Sequence, residues 1–326
     1  MSDPQGATLL AQASVPAKAI LFGEHAVVYG RPAIALPVPQ LQVTAIVRPD
    51  EGSLKVDSRY AGANGPRMAA VDLATAGPTE PLAAAARAAL RHAGRTERTP
   101  WRVSLESSIP AGRGLGSSAA VAVAVVTAVG RAAEPEEAWG PQTIAELALE
   151  AERCVHGQAS GIDTAVCAHA APIYFQQGQA RPLLLGCPLT LLIADSGLRG
   201  STAEMVAGVR ARQAEHPHTY AEWFDRVGRL ADDAVRALAE GSPRWLGQLM
   251  NVNHLALQAM HVSTPQLDQL VAAARHAGAW GAKLTGSGGG GAVIALVDDE
   301  TLAAVSAALS AAGAVSVLPL SIPPSG

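Results

Sequence analysis

The chain has 326 residues, 49% of them apolar and 16% charged, with a net charge of −4 and a pI near 6.1. This composition excludes a disordered chain and provides enough apolar material for one large domain or two ordinary ones. The mild acidity, with no basic stripe interleaved with aromatic residues, gives no expectation of nucleic-acid binding.

In chain order, residues 1–13 read as a frayed leader without the basic and apolar regions of a secretory signal. Ala17–Phe22 and Pro32–Val38 read as short buried strands around a turn at Gly23–Gly30, and Leu41–Val47 as a further strand. Residues 49–67, rich in Gly, Pro, Asp and Asn, read as a hairpin or loop. Pro81–His92 is an Ala-rich helix. Trp101, Val103 and Leu105 alternate with polar residues, as in a half-buried strand. A helix is expected over 118–132. Another, opened by the capping box Thr143-Ile144-Ala145-Glu146, runs to about Val155. Glu152 lies on the border of its apolar stripe, where a carboxylate needs a partner.

A strand is expected within Leu183–Ala194, with a domain boundary near residue 187. Beyond it, Ser201-Thr202-Ala203-Glu204 is a second capping box. Helices follow at about 220–240 and 244–260, and a third opens at Thr264-Pro265 and closes at Gly278. Ala292–Val297 and Val315–Leu320 read as strands flanking a helix at about 299–312. No apolar stretch is long enough to span a bilayer, so a cytoplasmic protein without membrane contact is expected. Cys154, Cys167 and Cys187 form no CxxC pair, which argues against a disulfide framework and a zinc site.

Four segments carry polar groups that composition does not explain. In Pro110-Ala111-Gly112-Arg113-Gly114-Leu115-Gly116-Ser117-Ser118, three alternating glycines precede two hydroxyls at a helix start. Such a loop is either a tight turn or a phosphate cradle, because glycine allows positive φ and helix N-termini attract anions. It is neither a P-loop, since no Lys follows the glycines, nor a dinucleotide GxGxxG. Lys18, Glu24 and His25 interrupt the apolar run from Pro16 to Gly30, either as solvated charges or as a substrate-lining edge. There His25 would donate to a substrate oxygen. Glu152 and Asp163, eleven residues apart across the turn Gly157–Gly161, can converge on a hard cation, although Asp163 alone also reads as a helix cap. In Lys283–Gly291, five glycines in six positions precede a strand, which fits a loop packed against a ligand or another backbone. Only three lysines occur, Lys18, Lys55 and Lys283, and two of them adjoin these segments.

Together these segments resemble the GHMP small-molecule kinases, over nearly the whole chain from residue 16 to the last strands. Asn251–Leu255, Leu267–Leu270 and the helix opening at Ser201-Thr202 are also similar to members of that family. The resemblance implies an α/β (α+β) fold of two domains, a ribosomal S5-like domain over 1–186 and a ferredoxin-like domain over 187–326. It implies ATP-dependent phosphorylation of a small alcohol, with Lys18–Gly30 most similar to members acting on mevalonate in isoprenoid precursor synthesis; the alternative is a member acting on phosphomevalonate or a sugar.

By the same resemblance, Pro110, Gly112, Arg113, Gly114, Leu115, Gly116, Ser117 and Ser118 would bind ATP, and Ser118 and Glu152 would hold Mg²⁺. Asp163 would accept or orient the hydroxyl proton, Lys18 would steady the transferring phosphoryl group, and Glu24, His25 and Ser287 would bind mevalonate. A homodimer is a further family expectation. The chain departs from the family pattern at Gln158, Ala159 and Thr164, and carries Arg113 where a small residue is common.

Overall fold

A computed structural model of the chain describes residues 8–62, 65–156 and 159–325. The chain divides into two compact units that do not follow a single cut in sequence. The first holds the residues up to Ala17, Pro37–Ala111 and Gly116–Ala170; the second holds Lys18–Leu36, Gly112–Leu115 and the residues from Ala171 onward. Strands β1 (Ala11–Phe22) and β2 (Ala33–Pro49) pair with each other and pass from one unit into the other.

In the first unit, β2 lies antiparallel to β5 (Trp101–Ser107), β5 parallel to β3 (Lys55–Gly62), and β3 antiparallel to β4 (Gly65–Asp72). Ala45 faces Leu105 and Val47 faces Val103, and all four are buried, so the alternation of the two strands sets both the register and the core face. Helices α1 (Pro81–His92), α2 (Ser117–Ala133), α3 (Pro141–His156) and α4 (Ile162–His169) pack on one another. Helix α2 is nearly all Ala and Val and is buried on most of its circumference. A side chain at Gly130 would collide with the Trp139 ring, so the glycine sets that approach.

In the second unit, the first residues of β2 (Ala33–Ala35) pair with β6 (Ile173–Gln176), which pairs with β7 (Gln179–Pro182). A separate antiparallel sheet has the order β11-β8-β10-β9, built from β8 (Leu189–Asp195), β9 (Gly281–Thr285), β10 (Ala292–Val297) and β11 (Ser316–Ile322). With α8 (Pro265–His276) between β8 and β9, and α9 (Leu302–Ala311) between β10 and β11, this is the 4-1-3-2 order of a ferredoxin-like layer. Helices α5 (Thr202–Glu215), α6 (Pro217–Ala239) and α7 (Pro243–Ala259) are inserted after β8. Leu192, Leu257, Leu267, Leu270, Leu284, Val293, Val305 and Leu309 lie at the centre of the core.

The mixed α/β class and most helices agree with the sequence reading. Residues 11–13 are strand rather than leader, because Ala11, Ala13 and Val15 point inward; residues 1–7 lie outside the description. The two strands expected at Pro32–Val38 and Leu41–Val47 are one. Strands β3 and β4 pair antiparallel, in part within 49–67, the region read as a hairpin or loop. Helix α3 opens at Pro141, not at the Thr143 box, because proline's fixed φ suits the first helical position. Gly157 and Gln158 lie outside the described residues, and Thr164 is buried with its hydroxyl on Gly161 O at 3.0 Å.

Candidate active site

The sequence-selected residues fall into two sets, one in each unit. In the first unit, Gly116 adopts φ 72° as the N-cap of α2 and supplies no capping side chain. Ser117 and Ser118 are the first two helical residues, so the opening N–H groups of α2 lack the usual side-chain acceptor and suit an anion. Glu152, near the end of α3, is buried among the helices. Glu150, two residues earlier, is exposed and binds Arg91 at 2.5 Å. Asp163 lies in the first turn of α4, after Gly161 at φ 88°. Pro110 ends the segment that leads from β5 to the loop.

In the second unit, three loops interlock backbone to backbone. Gly112 and Gly114 take φ 73° and 75°, conformations that a side chain would strain. A Cβ at Gly291 would stand 3.0 Å from Arg113 O, and one at Gly200 would stand 2.6 Å from Gly288 O. The loop at 112–115 therefore contacts 285–291, and that run contacts 198–200. Hydrogen bonds fix the arrangement. Lys18 N donates to Leu115 O at 3.1 Å, Ser196 Oγ to Gly291 O at 2.7 Å, and Gly291 N to Leu198 O at 2.9 Å. Thr285 Oγ1 accepts from Ile20 N and donates to Ile20 O, both at 2.9 Å.

Arg113 Nε binds Asp195 Oδ2 at 3.2 Å, while Gly197 N donates to Asp195 Oδ1 at 2.8 Å. The Arg113 Nη1 is buried without an acceptor. Arg199 lies alongside Gly112, where an added Cβ would meet its side chain at 3.7 Å.

Lys18, on β1, is buried. Glu24 is buried as well, and both of its oxygens are engaged: Lys283 Nζ binds Oε1, and Asn253 Nδ2 donates to Oε2 at 3.1 Å. Lys283 Nζ also donates to Leu284 O at 2.7 Å. Burial holds the Lys283 ammonium below the ordinary lysine value, and Glu24 opposes that shift.

His25 follows at φ 60°, ψ −46°, with Ala26 N donating to Glu24 O at 2.6 Å. This is a γ-turn with positive φ, a strained conformation for a residue with a side chain. Burial lowers the His25 pKa to about 4; Arg212 adds to the effect, and the bond to Ser287 opposes it. The neutral ring places Nε2 2.9 Å from Ser287 O. A carbonyl only accepts, so Nε2 carries the hydrogen and Nδ1 is the acceptor. Nδ1 of the neutral ring is thus an acceptor, whereas the sequence reading had His25 as a donor. The Ser287 hydroxyl lies 3.3 Å from that of Thr202.

Several residues here carried no role in the sequence reading: Lys283, Asn253, Asp195, Arg199 and His254. His254 Nδ1 accepts from Leu284 N at 3.4 Å and Nε2 donates to Asp268 at 3.1 Å. Burial lowers the His254 pKa to about 4, with Arg275 acting the same way against Asp268. The signals available in sequence were the scarcity of lysine and the polar pair Asn253-His254 within an apolar helix.

Two family models match the chain: GHMP kinases N terminal domain over residues 81–171, and GHMP kinases C terminal over 234–315. A mevalonate kinase of Pyrococcus abyssi is 40% identical over 299 residues, 88% of each chain. One of Pyrococcus horikoshii is 38% identical and covers 94% of each. Among solved structures, an L. major mevalonate kinase in complex with R-mevalonate superposes with a TM-score of 0.81 at 26% identity over the full length of both chains.

Proposed function

The chain belongs to the GHMP kinase family, in its mevalonate kinase branch, and on that premise we propose that it transfers the γ-phosphoryl group of ATP to the primary hydroxyl of mevalonate. The product is 5-phosphomevalonate, on the way to isoprenoid precursors. The observation that carries this reading is the near-full-length likeness to the two Pyrococcus relatives. Phosphomevalonate kinase and galactokinase structures also superpose, but at 18% identity, which speaks for the fold alone. A boundary near residue 187 falls between the two family-model matches, at 81–171 and 234–315, whereas the compact units interleave along the chain.

In this reading the glycine loop and the uncapped start of α2 receive the phosphates, while the charge of Arg113 in that loop is paired with Asp195. Phosphoryl transfer asks mainly for positioning and for charge stabilisation. Asp163 orients the acceptor hydroxyl and takes its proton as the new P–O bond forms and the bond to ADP breaks. Lys18 balances the charge that develops on the transferring group. His25 accepts from an acceptor hydroxyl through Nδ1, and Ser287 helps to shape that pocket.

Among the described residues no group of three or more His, Cys, Asp or Glu side chains could hold a metal ion. A divalent ion would therefore draw on hydroxyl, carboxylate and phosphate oxygens, and Ser118 with Glu152 supply the first two kinds, which suits Mg²⁺. When bound, the ion neutralises charge on the β- and γ-phosphate oxygens.

The test is ADP release measured against a panel of mevalonate, phosphomevalonate, galactose and homoserine. Mevalonate-dependent ADP release with phosphate on the primary hydroxyl is expected. Turnover of another acceptor in preference to mevalonate, or release of carbon dioxide, would overturn the reading.

A further inference from the structure

Glu24 and His25 are neighbours in sequence, but their side chains are placed differently. The Glu24 carboxylate is turned inward: Lys283 and Asn253 engage one oxygen each, and neither the Glu24 nor the Lys283 side chain reaches solvent. His25, the next residue, stands at the apex of the strained turn. A conformation of that kind persists only where the surrounding structure fixes both flanks. Downstream, Tyr29 stacks on Phe224 with ring centroids 4.1 Å apart, and Arg31 binds Asp225 at 2.7 Å, so the chain after the apex is anchored to α6. Upstream, Gly23 presses against Ala33, and the side chain that fixes the flank is that of Glu24.

We propose that Lys283, Glu24 and Asn253 form a buried clamp that holds the His25 turn, making Lys283 and Asn253 positioning residues for the acceptor alcohol although neither touches it. The proposal rests on the reading of His25 as an acceptor-binding residue. A buried ion pair is a poor source of net stability compared with apolar packing, and its best-attested use is to specify one arrangement. Here the specified element is one residue away. Movement of Glu24 shifts the carbonyl that closes the γ-turn, and with it the direction of the imidazole.

The double variant Glu24→Gln/Lys283→Met removes both charges with little change in volume. Steady-state kinetics with mevalonate and ATP varied separately, together with imidazole ¹⁵N–¹H correlation spectra, report the result. In the folded double variant the KM for mevalonate rises about tenfold or more while that for ATP stays within about twofold. The single Nε2–H tautomer signal of His25 is also lost. A folded double variant with wild-type KM for mevalonate and an unchanged His25 signal would overturn the proposal, even with a lowered melting temperature. If the double variant does not fold, Asn253→Leu, which breaks only the Asn253 bond, must show the same KM split at smaller amplitude; no split would overturn the proposal equally. His25→Ala separates the two layers. If it leaves the KM for mevalonate unchanged, the acceptor reading of His25 fails, while the tautomer signal in the clamp variants still decides whether the clamp exists.

Discussion

His25 and His254 are both held neutral by burial, with pKa values of about 4 against an ordinary 6.5. In the unfolded chain each regains the ordinary value and binds a proton below it. Stability from these two groups is therefore complete above about pH 6.5 and is lost as the pH falls toward 4. At pH 5 the loss is about 2 kcal/mol for each. Urea unfolding should show a decline of about 4 kcal/mol between pH 7 and pH 5 from the pair, and His25→Asn should remove about half of it. A flat profile over that range would contradict the buried, neutral state of both rings. The reacting groups are tested differently. Asp163→Asn and Lys18→Met should each abolish turnover while ATP binding, followed calorimetrically, is retained. Near-normal turnover in either variant would remove that residue from its assigned role. Ser118→Ala should weaken the use of ATP with magnesium; an unaltered magnesium dependence would argue against ligation.

At the scale of elements, the loops at 112–115, 198–200 and 286–291 form one packed layer, and glycine is required there for two separable reasons. Gly52, outside that layer, has φ 80° with nothing near its would-be Cβ, so Gly52→Ala costs only backbone strain, about 1 kcal/mol. Gly200 has no positive-φ requirement, yet its Cβ would stand 2.6 Å from Gly288 O. Gly200→Ala must therefore push two loops apart, and it should raise the KM for ATP strongly while Gly52→Ala leaves it unchanged. Parallel melts and kinetics on the two variants check this; equal effects would refute the packed-layer account. The glycine runs themselves were legible in the sequence, and so was the helix behind the first of them. Strand β9 was not, because Gly281-Ala282-Lys283-Leu284-Thr285 carries a lysine whose burial depends on a carboxylate 259 positions away. Helix α4 was hidden behind the Gly/Ser turn that precedes it, and β1 was shortened because alanine marks a buried face only weakly.

At the scale of the molecule, local pattern made most helices and the candidate residue types readable, and long-range pairing decided what those residues do. Glu24 was readable as an ion inside an apolar run, but Lys283 and Asn253, which consume it, come from β9 and α7. The same long-range pairing governs how the chain can be divided. The second unit includes Lys18–Leu36 and Gly112–Leu115 as well as everything from Ala171. A fragment of residues 187–326 contains the residues of the four-stranded sheet and its helices but lacks Glu24, the Ile20 partner of Thr285, and Arg113. It then holds Lys283 in the interior without its counter-ion, a defect that costs about 3–5 kcal/mol when one partner of a buried pair is removed. That is a large share of the roughly 5–15 kcal/mol that keeps a domain folded. The fragment should therefore melt without a cooperative transition and show poorly dispersed amide resonances. Addition of a peptide spanning residues 18–36, which restores Glu24 and Ile20, should raise the order of the mixture. A sharp melt and native-like dispersion from the fragment alone would show that the sheet and its helices do not need the N-terminal segment.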